Sequence, residues 1–147
     1  MSTITQATTE EAKKITTKDL SGNENGFLIE MFKDGNKTVA YLTCAKPGAF
    51  KGYHLHKVRA ARYVCIKGTM KVILYAEGGK REEHILTSNP PMRLFIPKMV
   101  PTGLENIGTE DGWLVNYPDP AYDPELKGEQ VDFTQEELDS GEWKQKL

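Results

Sequence analysis

His54 and His56 stand two residues apart in the segment Gly48-Ala49-Phe50-Lys51-Gly52-Tyr53-His54-Leu55-His56-Lys57, and the chain has only 3 histidines. Residues i and i+2 of a strand face the same side, so both imidazoles aim at one place. Two converging imidazoles suit a metal site, or proton transfer on a bound ligand. The plain alternative is an accidental pair on a polar surface strand. The surrounding charge has one sign. Lys51, Lys57, Arg59, Arg62, Lys67 and Lys71 fall in one stretch that holds no acidic residue. Lys67 and Lys71 read as a solvated strand face. The cations that flank the histidines suit an anionic small molecule. His84 follows charged residues and reads as a surface histidine.

The elements that must position these residues read as short strands. Phe27–Phe32, Thr38–Ala45, Gly52–His56, Arg62–Ile66, Thr69–Ala76, Glu83–Thr87, Arg93–Ile96 and Gly112–Tyr117 are rich in β-forming residues. Turn signals separate them at Asp34-Gly35-Asn36, Lys46-Pro47-Gly48 and Glu77-Gly78-Gly79-Lys80. Many short strands with no helix between them predict an antiparallel sandwich or small barrel. Two short helices are expected. One covers Thr9–Lys14. The other is opened by the capping box Thr134-Gln135-Glu136-Glu137, runs over 134–146 and is interrupted by Gly141. Residues 1–22 read as a mobile N-terminal arm, with an edge strand as the alternative.

A length of 147 residues suits a single domain spanning 1–147, large enough to bury its own core. The hydrophobic share of 38% and charged share of 27% are those of a soluble globular protein. No apolar run reaches the length of a membrane span, and Met1–Lys18 lacks the apolar centre of a signal peptide. A cytoplasmic protein follows from this reading. Cys44 and Cys65 lie in apolar strand patterns and read as buried free thiols, a disulfide being the other option. The net charge of -2 argues against a nucleic-acid partner.

The histidine segment resembles the first motif of the cupin superfamily. Gly48, five residues, His54-Leu55-His56, four residues, Ala61, six residues and Gly68 follow that motif's spacing, with Ala61 where the motif has Glu. The second motif is matched by Pro97 and Asn106, while Met99 replaces its Gly and Thr102 its His. The resemblance implies an all-β, antiparallel double-stranded β-helix, the jelly-roll barrel, with a short C-terminal helix. Metal-binding cupins take their ligands from the two first-motif histidines, the Glu and the second-motif His. Ala61 and Thr102 leave two of those four places without a good ligand, so no metal and no other cofactor is expected here.

Within the superfamily, Lys51-Gly52-Tyr53-His54-Leu55-His56-Lys57 resembles the Arg-Gly-x-His segment of dTDP-4-dehydrorhamnose 3,5-epimerases. It also resembles the Arg-Gly-x-His-x-His-Lys segment of dTDP-sugar 3,4-ketoisomerases. Arg62-Tyr63-Val64-Cys65-Ile66-Lys67-Gly68 is similar to the strand and turn that follow in both. Asn116 to Glu125 resembles the late Tyr…Tyr-x-Pro-Glu region of the epimerases. The resemblance implies a metal-independent isomerase of a nucleotide-linked 4-keto-6-deoxy sugar, acting as a homodimer with no membrane or nucleic-acid partner. The 3,5-epimerase reading leads and the 3,4-ketoisomerase reading follows. A non-catalytic sugar-binding cupin and a metal cupin are the other classes. The resemblance implies His54 as the base, with His56 sharing the work in a ketoisomerase and Tyr117 as the acid. Counting back from Pro124-Glu125 sets the family's tyrosine at Asn116, leaving Tyr63 and Tyr53 as further candidates. Substrate binding falls to Lys51, in place of an Arg that contacts phosphate, and to Lys57, Arg59, Arg62 and Tyr63.

Overall fold

Alternating apolar and polar residues give each strand one face that has to be covered. Two sheets meet this need by packing those faces together. The computed structural model of the chain describes residues 11, 13–34, 38–75, 80–120 and 123–147. In chain order the strands are β1 Lys14–Lys18, β2 Glu24–Asp34, β3 Thr38–Ala45, β4 Phe50–His56, β5 Ala61–Lys67 and β6 Thr69–Tyr75. They continue with β7 Arg81–Thr87, β8 Arg93–Ile96, β9 Thr102–Asn106, β10 Gly112–Asn116 and β11 Gln130–Asp132. One helix, α1 Gln135–Asp139, and a single 3₁₀ turn, Trp143–Lys146, close the chain. The six-stranded sheet has the order β1-β2-β3-β10-β5-β8, and the five-stranded sheet the order β11-β4-β9-β6-β7. All paired strands are antiparallel, and the sheets form the expected jelly roll.

Ala45, Cys65, Met70, Val72, Leu104 and Leu114 fill the space between the sheets. The outer face of the five-stranded sheet has its own cover. Tyr53, Leu55, Ile73 and Tyr75 bury themselves against Phe133, Leu138 and Trp143 of the C-terminal segment. That packing anchors the end of the chain across the back of β4. Cys44 and Cys65 are buried and free.

Several strands differ from the sequence reading. β1 lies inside the segment expected as an arm and pairs with β2, so residues 14–18 form an edge strand instead. The helix expected over Thr9–Lys14 lies largely outside the described residues, and Lys14 already belongs to β1. The turns at Asp34-Gly35-Asn36 and Glu77-Gly78-Gly79-Lys80 lie mostly outside them too, although the strands they join pair in register. β9, Thr-Gly-Leu-Glu-Asn, and β11, Gln-Val-Asp, hold too few apolar residues to read as strands from their own sequence. The C-terminal helix over 134–146 is two short pieces, because Gly141 takes φ 76° between them. Its capping box forms as read, with Thr134 and Glu137 each satisfying the other's backbone N–H.

Asn106, the residue that matches the second motif, explains its own place. Its side-chain amide donates to the carbonyls of Ala45 and Glu110, both at 2.8 Å, and accepts from the Gly108 N–H at 2.8 Å. It is 1% exposed. Asn106→Ala strands those groups without water, at about 1 to 3 kcal/mol for each orphan. We expect a loss of at least about 2 kcal/mol in urea unfolding.

Candidate functional site

A cavity of about 1090 Å³ opens between the sheets. His54, His56, Lys51 and Thr102 line it from the five-stranded sheet; Ala61, Tyr63, Leu114 and Asn116 line it from the six-stranded sheet. Strict alternation would set Lys51 and His54 on opposite faces of β4. A bulge prevents this. Lys51 pairs with Leu104 and His54 with Thr102, so β4 spends three steps where β9 spends two. Gly52 sits in the bulge at φ 127°, and a Cβ there would meet the Thr102 carbonyl oxygen at 2.8 Å. Only glycine permits that approach. Strict alternation would also set Phe50 on the face of the histidines. Phe50 instead packs with Tyr53 on the outer face.

The short strand β11 completes the site. It pairs with β4 so that Asp132 stands opposite His54 and Gln130 opposite His56. His54 Nδ1 lies 2.6 Å from Asp132 Oδ1. A carboxylate can only accept, so Nδ1 carries the proton and Nε2 offers its lone pair. Burial alone would raise the Asp132 carboxyl, but hydrogen bonds from Gln130 and His54 hold it below the usual carboxylate range. Gln130 Nε2 fixes the same oxygen from 2.9 Å.

His56 sits in a different environment. Its Nδ1 is 3.1 Å from Glu129 Oε2 and 3.0 Å from Arg59 Nη2. Glu129 also accepts from Arg59 Nε at 2.5 Å and from the Lys57 backbone N–H at 3.1 Å. The carboxylate and guanidinium are nearly buried, with side-chain exposures of 6% and 10%. Burial and the Arg59 charge push His56 below the ordinary imidazole range, against the pull of Glu129. So one wall of the cavity holds two imidazoles in contrasting settings. His54 is half-exposed and backed by the Asp132 carboxylate with the Gln130 amide beside it; His56 is backed by a buried ion pair.

The other residues singled out from the sequence scatter. Lys51 and Arg59 line the cavity, and so does Tyr63. Burial pushes the Tyr63 hydroxyl up to about 12. Lys57, by contrast, reaches the Leu147 carbonyl at 3.4 Å, and Arg62 faces outward to Asp119 at 3.3 Å. Neither is among the lining residues. Tyr117 lies just past β10, is 49% exposed and is not brought to the histidines. Asn116 takes the inward place instead, in register with Tyr63. A one-residue step in a strand changes its face, and this is the consequence. His84 pairs with Glu82 at 3.3 Å on β7, at the edge of the five-stranded sheet. Sequence reasoning missed Asp132, Gln130 and Glu129. The alternation Gln130-Val131-Asp132-Phe133 was the available signal for β11.

A family model described as "FdtA: WxcM-like, C-terminal" matches residues 18–127. The chain belongs to this family. A curated relative, the "Probable low-salt glycan biosynthesis epimerase Agl13" of Haloferax volcanii, is 25% identical over 119 residues, covering 72% of this chain and 76% of its own. Among solved structures, the capsular polysaccharide assembling protein CapF of Staphylococcus aureus superposes with a TM-score of 0.68 at 18% identity. The match covers 81% of this chain and 34% of CapF, so the chain spans about a third of that protein. A mutant of Bacillus subtilis oxalate decarboxylase OxdC matches with a TM-score of 0.62 at 17% identity, over 95% of this chain and 38% of its own. These likenesses show the cupin fold.

This FdtA-family chain keeps the cupin frame while changing its ligand positions. Ala61 and Thr102 both line the cavity beside the histidines, and Thr102 Oγ1 donates to the Val100 carbonyl at 3.1 Å. Among the described residues no group of three His, Cys, Asp or Glu side chains could hold a metal ion. The side chains present do not fit a cupin metal centre. Met99, at the motif's glycine position, takes φ 70°, the left-handed region that favours glycine. No helix among the described residues is long and apolar enough to cross a membrane. Tyr117→Phe in this setting should keep turnover within about twofold, the usual result for an exposed side chain away from the chemistry. A hundredfold loss in steady-state kinetics would return Tyr117 to the site.

Proposed function

We propose that this chain is an isomerase of a nucleotide-linked 4-keto-6-deoxy sugar that works by taking a proton next to the ketone. The observation that carries the reading is the His54–Asp132 pair at 2.6 Å on the cavity wall. A C–H next to a carbonyl is weakly acidic, so its removal needs a placed base and a stabilised enolate. Asp132 holds His54 as that base. His56, on the same wall, is placed to move a proton at the neighbouring carbon. Two histidines on one face, with Tyr117 turned outward, favour migration of the ketone between C3 and C4. The 3,5-epimerase reading draws on the name of the archaeal relative and on Tyr63, which lines the facing sheet.

The two reactions part in deuterated water. Incubation with thymidine diphosphate 4-keto-6-deoxyglucose should give a 3-keto product that carries solvent deuterium at C4 and none at C5. Deuterium at C3 and C5 with the ketone still at C4 selects the epimerase. No exchange anywhere sinks both readings.

A further inference from the structure

Three polar atoms on the cavity wall are buried and have no hydrogen-bond partner among the described residues: Lys51 Nζ, Asn25 Oδ1 and Asn116 Oδ1. Thr17 Oγ1 is a fourth. Native proteins pair nearly all buried polar groups, so such a cluster on one cavity asks for a reason. The ammonium is the most demanding member, since a buried charge without a counter-ion is costly. Burial lowers it to about 8. A structural lysine would swing out to water or find a carboxylate. The bulge in β4 instead turns Lys51 onto the face that carries His54 and His56. Along that face exposure falls from 45% at the His54 side chain to a fully buried Nζ at Lys51.

A diphosphate is a poor match for this place. It carries several charges and calls for several donors. Lys18 and Lys46 are exposed, line the same cavity and suit a diphosphate better. A lone ammonium that shares the cavity lining with Leu104, Leu114 and two amide oxygens suits one carbonyl oxygen with a hydroxyl beside it.

We propose that Lys51 is a catalytic residue whose ammonium receives the substrate's carbonyl oxygen and stabilises the enolate formed when His54 takes the neighbouring proton. This rests on the isomerase reading above. The C–H bond breaks, its electron pair becomes the enolate C=C, the carbonyl π pair moves to oxygen, and the proton goes to His54 Nε2. Lys51 keeps its protons and donates a hydrogen bond, so nothing is oxidised or reduced. Asn116 Oδ1 and Asn25 Oδ1 accept from the sugar's C2 and C3 hydroxyls.

Lys51→Met keeps the length of the side chain and removes its charge. We expect exchange of the proton next to the ketone of thymidine diphosphate 4-keto-6-deoxyglucose to slow about 100-fold or more, the cost of losing an oxyanion donor. KM should stay near the wild-type value, and so should affinity for thymidine diphosphate alone, measured by calorimetry. Retained affinity also reports an intact fold. Lys51→Arg keeps a cation and should exchange faster than the Met variant. Wild-type exchange in Lys51→Met, or equal rates in the two variants, overturns the proposal. So does a tenfold loss of thymidine diphosphate affinity with exchange preserved, which makes Lys51 a phosphate ligand. Wild-type protein that exchanges nothing fails the isomerase reading itself, and this inference falls with it.

Discussion

Replacing His54 with alanine is expected to slow proton exchange next to the substrate ketone by roughly 100- to 10,000-fold, the usual contribution of a placed base. The argument is geometric. Nδ1 is committed to Asp132 at 2.6 Å, which leaves the lone pair on Nε2 of a residue that lines the cavity. No other described group repeats that arrangement. His56 shares its Nδ1 between Glu129 and Arg59, and a cation at 3.0 Å disfavours a second positive charge. His56→Ala therefore makes a sharp companion. In a ketoisomerase it should leave exchange at C3 within reach of wild type while stopping appearance of the 3-keto product. Equal loss of both signals would merge the two histidines into one role. The measurement is proton NMR of the sugar in deuterated buffer with time.

Glu129→Gln should destabilise the fold by about 3 to 5 kcal/mol, the cost of removing one partner from a buried ion pair. Glu129 is 7% exposed and holds Arg59, His56 and the Lys57 N–H at once. Its amide counterpart removes the negative charge that Arg59 and His56 share at that point. A native domain has only about 5 to 15 kcal/mol in hand, so urea unfolding will resolve the change. pH adds a second readout. Burial acts to raise the Glu129 carboxyl, but Arg59 and His56 outweigh it and hold the group below its ordinary value of 4.5. The unfolded chain therefore binds the proton more readily than the folded one. That stabilisation is present above pH 4.5 and is lost as pH falls through the lower folded value. His56 acts in the same direction one step higher. Its folded value lies below 6.5, so stability also declines as pH drops beneath 6.5. Glu129→Gln should flatten the acid limb below pH 4.5; an unchanged limb would show that the cluster contributes nothing to acid lability.

Much of the frame was legible from residue patterns. β3 and β8 were read with the boundaries they have, because β-formers fill them and turn residues bound them. The capping box at Thr134 was legible because it is local chemistry within four residues. β9 and β11 were not, since Thr102–Asn106 and Gln130–Asp132 are short and mostly polar, and only their pairing partners explain them. Register was the other blind spot. Asn116 and Tyr117 differ by one residue, and which of them faces inward depends on the pairing of β10 with β3 and β5.

By itself the sequence determined an antiparallel sandwich or small barrel and the pair His54 and His56 on a common face, because both follow from period-two alternation and short-range turn chemistry; the jelly roll was what the resemblance to the cupin motifs implied. It also showed that Ala61 and Thr102 stand where metal ligands would be. Only the tertiary structure decided what stands behind each imidazole. Asp132 lies 78 residues from His54 along the chain, and Glu129 lies 73 from His56. Those contacts exist because β11 pairs with β4 while Phe133, Leu138 and Trp143 bury themselves behind it. The bulge at Gly52 likewise brings Lys51 round to the histidines, which alternation alone would forbid. Local sequence sets which way a strand's side chains point relative to one another; pairing partners far along the chain set what they meet.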